Sequence, residues 1–393
     1  MPWPTESPVS VRERFVLSAL AGGESFAKIC RRFQIARSTG YKWLRRYRER
    51  GRSGLHERSR RPLRSPHRIH WRWLQALRQL RRRHPYWGPR KLRARLRVLH
   101  PRVHLPSVRT LARGLQRLGL VSFKRRRQRR GPWLKPISRT AARRPNDVWT
   151  VDFKGWFRIR GGPRIDPLTI RDLKSRFILD IRLLSHQTYE VVRPAMQRAF
   201  RRYGLPRAIR VDNGPPFGGP SPRGLSRLAV WWRRLGIKVD YGRPAHPEDN
   251  AAHEQMHSVY QAEVLDQPAD NRSVLQRRSD RWRVQYNHVR PHEALRLRPP
   301  AQLYQPSPRL FPHKLPPWAY PTKWLTRRVN RQGRLYWIGR LRFIGEAFSG
   351  ERIGLCAAPK GAWKVFLGQD LLGLIHLKDQ STSIRPVRWR CHI

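Results

Sequence analysis

The chain has 393 residues and a mass of 46.7 kDa, which at about 150 residues per domain is long enough for two or three domains. Its 85 Lys and Arg against 25 Asp and Glu leave a formal charge of +60 and a pI near 11.9, a self-repelling balance that a polyanion such as nucleic acid neutralises. A hydrophobic share of 39% with 16 Trp and 13 Phe excludes a merely disordered basic tail, because such a composition can bury cores.

No apolar run reaches the roughly 18 residues of a membrane span. The stretch Phe15 to Gly22 follows Glu6, Arg12 and Arg14 instead of a basic leader, so neither a span nor a signal peptide is expected. Cys30, Cys356 and Cys391 are widely spaced and lack a CxxC partner, which argues against structural zinc and a disulfide framework. A reducing cytosol is the expected setting.

Residues 1–50 read as a helical unit. Phe26, Ile29, Cys30 and Phe33 recur on one helical face, a break follows at Gln34 to Arg37, and Ser38 is placed to cap a next helix. That helix turns Trp43, Leu44 and Tyr47 inward and leaves Arg45 and Arg46 outside as speculative DNA contacts, a helix-turn-helix pattern. Residues 51–66, rich in Arg, Ser, Pro and Gly, read as a basic linker without a core. A second helical unit, 67–122, follows from Trp71, Leu74 and Leu77, then Leu92, Leu96 and Leu99, then Val108, Leu111, Leu115 and Leu118. Its third helix, opened by Ser107, offers Arg109 and Arg113 to DNA. A basic linker, 123–144, begins with the run containing Lys124 and Arg125, which suits phosphate.

From Val148 the pattern becomes α/β over 145–305: strands at 148–157, 168–171, 177–184, 208–211 and 237–241, and helices at 188–203, 223–235, 250–265 and 273–286. A proline-rich tether is expected over 306–325, and short strands with intervening glycines over 326–393 suggest a small all-β barrel that binds DNA or serves assembly. In so basic a chain, Asp152 within the first of these strands and Asp212 at the end of the fourth stand out. Carboxylates converging from separate elements can hold Mg²⁺ while leaving positions open for phosphate and water. Taken singly, each could equally be a capping or ion-paired residue.

Four stretches in order carry a specific resemblance: Pro145 to Phe153, Val211-Asp212-Asn213-Gly214, Pro247 to Glu254, and Tyr286-Asn287-His288-Val289-Arg290-Pro291-His292-Glu293-Ala294-Leu295. Together they resemble the DDE integrase core of bacterial insertion-sequence transposases, relatives of retroviral integrases. Tyr86-Trp87-Gly88-Pro89-Arg90-Lys91-Leu92 is similar to the second helical module of such proteins. The resemblance implies an RNase H-like core with a mixed five-stranded sheet and flanking helices. It implies that Asp152, Asp212 and Glu254 are the catalytic and metal-holding acids, with two Mg²⁺ ions per site and Mn²⁺ as a substitute. The implied reaction is hydrolysis at the ends of an insertion element, followed by attack of the freed 3′-OH on target DNA. The implied partners are double-stranded element ends and target DNA, bound by a homodimer or higher oligomer, with neither a membrane nor a small-molecule cofactor. On the motif the third acid is Glu254, with 41 residues between it and Asp212. Glu248 would satisfy the shorter spacing usual in the family, and the glycine- and proline-rich segment Gly218 to Gly224 reads as an insertion that absorbs the difference. Three other functions are compatible with parts of the pattern: a non-catalytic DNA-binding regulator derived from a transposase, a metal-dependent nuclease that cuts without joining, and an RNA-binding structural protein.

Overall fold

The computed structural model describes residues 7–59, 69–121, 140–159, 162–242, 251–376 and 383–386. It divides into two units, Met1–Arg68 and Ile69–Ile393.

The first unit holds α1 (Pro8–Leu20), α2 (Phe26–Arg32) and α3 (Arg37–Arg50) around Phe15, Ile29, Cys30, Trp43 and Leu44. Ser7 caps α1 by accepting from Ser10 N–H at 3.1 Å. α3 starts one residue before the expected cap: Ala36 is its N-cap without a side-chain bond, and Ser38 lies inside the first turn. Gly40 lets α3 approach α1 and α2, since a Cβ there would stand 2.9 Å from both Cys30 Sγ and the Phe15 ring. The expectation that residue 51 onwards has no core fails at its start. Gly51–Leu55 forms a short 3-10 turn that folds back, and Leu55 is fully buried against α1 and α3.

The second unit opens with α4 (Trp71–Arg83), α5 (Pro89–Leu99) and α6 (Val108–Arg117), packed through Trp73, Leu77, Leu92, Leu96, Leu111 and Leu115. Trp71, expected inside, is exposed, because α4 turns inward on the face of Trp73. Ser107 caps α6 as its sequence position suggests, accepting from Thr110 N–H at 3.1 Å.

The central sheet consists of β1 (Val148–Phe153), β2 (Phe157–Arg158), β3 (Arg164–Asp172), β4 (Ile178–Leu184), β5 (Ala208–Val211) and β6 (Lys238–Tyr241), with α7 (Tyr189–Tyr203) and α8 (Arg227–Arg234) between its later strands. The antiparallel pairing of β1 with β3 continues into β2 with a one-residue shift, so β2 prolongs β1 along the same edge of β3. The spatial order is therefore β4-β3-β1-β5-β6, with β1, β5 and β6 parallel. This is the mixed five-row sheet of an RNase H-like core. α7 and α8 cover one face through Val192, Met196, Phe200, Trp231 and Trp232, against Trp149, Val151, Leu168 and Ile170. α9 (Ala251–Tyr260), a π-helical turn (Gln261–Leu265) and α10 (Arg272–His288) cover the other through Met256, Tyr260, Leu275 and Trp282. The Trp87 motif docks the small helical unit on the end of α10: Trp87 is buried and stacked on His84, His84 meets Gln285 at 3.1 Å, and Arg290 lies over the Trp87 ring.

Two expectations about the C-terminal part are overturned. The proline-rich stretch is extended but packed. Tyr304 bonds Asn146, Ser307 N–H bonds the Tyr203 carbonyl at 2.8 Å, and Phe311 stacks on Phe200, so its aromatic side chains bury surface that its prolines do not. Gly204, at φ 74°, makes room for it, because a Cβ there would meet the Ser307 carbonyl at 2.5 Å. The following strands do not close into a barrel. β7 (Leu325–Arg328), β10 (Arg352–Ala358), β11 (Ala362–Leu367), β12 (Asp370–His376) and β13 (Arg385–Pro386) form an open sheet in the order β13-β12-β11-β10-β7. β8 (Arg334–Trp337) and β9 (Arg340–Phe343) pair with each other as a separate hairpin. Closure is unnecessary because the apolar face finds cover elsewhere: Val329, Trp337, Phe348, Ile353 and Val365 join the same core as the α8 side chains. Arg233–Asp370 and Arg234–Glu351 ion pairs fix that contact.

Candidate active site

The alternation of β1 sends Trp149 and Val151 into the apolar core and Thr150 and Asp152 to the α9 side. The parallel register of β1 with β5 pairs Val148 with Ala208 and Thr150 with Arg210. Asp212 follows directly on the end of β5, and the same offset of 60 residues, continued past the last pair, would bring it level with Asp152. Glu254 comes from the first turn of α9. Two of the carboxylates act on the third: burial first, then the charge of Asp212 and then that of Glu254 push the Asp152 carboxyl up to about 7, opposed by the Phe153 backbone N–H and by Lys154. Burial also raises Asp212, against the backbone N–H groups of Asp212 and Gly214. Asn213 ties this turn down by donating to the Gly242 carbonyl at 2.5 Å. Downstream, Gly218 bridges to Leu225 and Ser226 Oγ donates to the Phe217 carbonyl at 2.6 Å, so the expected insertion is an anchored loop. Glu248 and Asn250 lie outside the described residues.

Beside Asp152 stand two residues to which the sequence pattern had assigned no role, His253 and His257. The signal for them was present, since an i,i+4 pair flanking Glu254 shares one helical face. Both are buried, with ring centroids 4.7 Å apart. His253 Nδ1 meets Thr150 Oγ1 at 2.7 Å, while His253 Nε2 and His257 Nε2 meet Thr169 Oγ1 at 2.6 and 2.8 Å. His257 Nδ1 faces Asp152 Oδ2 at 3.9 Å. Burial holds both imidazoles neutral, with His257 lowered to about 3, helped by the charges of Lys154 and Arg171. The ligand atoms of Asp152, His253 and His257 all lie within 4.8 Å of one another, a group able to hold a metal ion. The wider donor set fits a divalent cation: oxygens arrive from three separate elements, and Asp152 bears a repulsion from its neighbours that a cation reverses.

The sequence matches models described as an integrase core domain over residues 142–247 and again over 235–300. Residues 142–300 are thus similar to integrase core domains. Residues 11–62 match a helix-turn-helix domain, 39–115 a homeodomain-like domain, and 325–383 the C-terminal domain of IS481 family transposases. The chain is 29% identical over 230 residues to the insertion element IS476 uncharacterized 39.2 kDa protein of Xanthomonas euvesicatoria, covering 57% of this chain and 62% of that one. It is 29% identical over 187 residues to the insertion element IS407 uncharacterized 31.7 kDa protein of Burkholderia multivorans, covering 46% and 64%. It thus spans less than two thirds of the length of either relative. Among solved structures, the HTLV-2 integrase catalytic core domain in complex with magnesium aligns at a TM-score of 0.34 and 16% identity, over 42% of this chain and 100% of that one.

Of the basic residues singled out for DNA, Arg45 is exposed on α3, with Glu49 at 3.9 Å. Arg46 instead leans on the Trp43 ring, its guanidinium 5.0 Å from the centroid. Arg109 and Arg113 are exposed on α6, and Lys124 and Arg125 lie outside the described residues. Among the described residues, no helix is long and apolar enough to cross a membrane.

Proposed function

We propose that the integrase core domain makes this chain a DNA transposase, which hydrolyses the phosphodiester at the ends of an insertion element and joins the freed 3′-OH to target DNA. What supports the reading is the electrostatic meeting of Asp152, Asp212 and Glu254 at one end of the sheet, inside the matched core. These three residues would hold two divalent cations, Mg²⁺ or Mn²⁺, which when bound stabilise both the attacking and the leaving oxygen of an in-line displacement. Asp152 must give up its proton to serve, and the charge of Lys154 favours that form. Asn213 keeps the Asp212 turn in place through its bond to Gly242. The helical units, with Arg45, Arg46, Arg109, Arg113, Lys124 and Arg125, would grip element ends through phosphates, so that affinity falls steeply with salt. The division proposed is a first helical unit of 1–50 with the turn at 51–55 folded onto it, a second of 67–122, a core of 145–305 and a C-terminal sheet of 326–393 joined to the core by the packed proline-rich stretch. The working form is a homodimer or higher oligomer on paired ends, in the bacterial cytoplasm.

The test is strand transfer of a pre-cleaved element end into plasmid DNA by wild type, Glu254→Gln and Glu248→Gln, in Mg²⁺ and in Mn²⁺. Joining lost only with Glu254→Gln is the expected result. Joining lost only with Glu248→Gln would replace the third acid, and tight end binding by a wild type that never joins would favour a DNA-binding regulator instead.

A further inference from the structure

The hydrogen-bond pattern around Thr169 fixes where the protons of the two buried imidazoles sit. Thr169 has one hydroxyl proton and donates it to the backbone carbonyl of Asp152 at 3.0 Å, an atom that can only accept. The contacts of Thr169 Oγ1 with His253 Nε2 at 2.6 Å and His257 Nε2 at 2.8 Å must then run the other way, with each ring donating an Nε2–H. In an uncharged imidazole that choice leaves Nδ1 as an electron pair. His253 Nδ1 faces the Thr150 hydroxyl at 2.7 Å, and that hydroxyl also reaches the Arg171 carbonyl at 3.4 Å. For His257, the group facing Nδ1 among the described residues is the Asp152 carboxylate, with Oδ2 at 3.9 Å. That is too long for a hydrogen bond, and once Asp152 has given up its proton two acceptors stand face to face. A nitrogen lone pair and a carboxylate oxygen at such a separation can both ligate one cation.

We infer that His257 Nδ1 is an additional, nitrogen ligand of the cation held by Asp152, locked in its donating tautomer by Thr169, and that it biases this site towards borderline transition metals such as Mn²⁺ over Mg²⁺. Imidazole suits such ions, whereas Mg²⁺ prefers an all-oxygen shell. The outer partner is also in place, since a ligating imidazole is ordinarily oriented by a hydrogen bond from its other nitrogen, and Thr169 supplies that bond.

The inference rests on the reading of Asp152 as a metal ligand, and the experiment separates the two. Mn²⁺ binding to the full-length protein without DNA is followed by electron paramagnetic resonance, and the echo-modulation spectrum reads directly bound ¹⁴N. Wild type, His257→Asn, His253→Asn and Asp152→Asn are compared. The expected result is ¹⁴N coupling in wild type and in His253→Asn, and its disappearance in His257→Asn. There the Mn²⁺ affinity falls on the order of tenfold, with a smaller fall for Mg²⁺. Wild-type protein labelled with ¹⁵N-histidine gives the same answer without a substitution, because the coupling pattern changes only if a histidine nitrogen is bound. Mn²⁺ bound without nitrogen coupling, and lost in Asp152→Asn, would overturn the histidine ligand and keep the carboxylate site. Coupling retained in His257→Asn would overturn it as well. Binding unaffected by Asp152→Asn would overturn both readings.

Discussion

On one face of the central sheet, Trp149, Val151, Leu168 and Ile170 are closed off by α7 and α8; on the other, Thr150, Asp152, Thr169 and Arg171, each displaced by one residue, lie under α9. The first face is an ordinary apolar core, each side chain contributing about 1.5–3 kcal/mol through burial. The second buries hydroxyls, two imidazoles, a guanidinium and a carboxylate, which is costly unless every group is paired. The contrast teaches that the two-residue period of a strand lets one segment hold the fold together with one set of side chains and present chemistry with the other, so the two roles should respond to different substitutions.

The largest effect expected on the chemical face is from Asp152→Asn: strand transfer falls on the order of 10³-fold in Mg²⁺ while the fold is kept. The same variant has a signature in stability. Asp152 holds its proton more tightly folded than unfolded, so its favourable contribution is complete below 3.8 and is lost as the pH rises through about 7. Thermal melts of the metal-free protein should therefore lose stability across that window in wild type, by at most about 4 kcal/mol, and lose less in Asp152→Asn. On the apolar face, Trp149→Ala should cost about 3–5 kcal/mol in denaturant unfolding while leaving the joining rate per folded molecule nearly unchanged. Thr169→Val probes where the separation ends, because it strips a shared partner from two imidazole N–H groups and a carbonyl. It should lower stability by about 1–3 kcal/mol and joining as well, and a change in only one of them would break the comparison. The smallest effect lies far from both faces. Arg113→Ala should reduce by about one the slope of log affinity against log salt for end binding and leave the melting temperature unmoved.

The strands and helices of the core were readable because β1 and β4 are short, mostly apolar runs, because α7 spaces Val192, Met196, Ala199 and Tyr203 along one helical face, and because Asp212 closes a strand on a glycine turn. The C-terminal part was misread for two physical reasons. Strand spacing carries no information on whether first and last strands pair, so an open sheet whose face is covered by α8 looks in sequence like a barrel. In the proline-rich stretch, backbone composition was weighed above Tyr304, Phe311 and Trp318, whose burial decides its fate. β7 escaped notice because Leu325-Thr326-Arg327-Arg328 offers little apolar pattern at a sheet edge. His253 and His257 were visible as residues, but their role depends on Thr150 and Thr169 from two strands, a meeting that only the fold creates.

The extended stretch from Tyr304 to Trp318 crosses Gly204, Phe200 and Trp231 on its way to Glu351. A proline-rich segment is usually where evolution cuts and pastes, yet here it is mortar between bricks. Recombination between related chains can exchange the C-terminal sheet only together with the α7 and α8 surface it covers, so the two must be inherited as a pair even though the chain between them reads as a hinge.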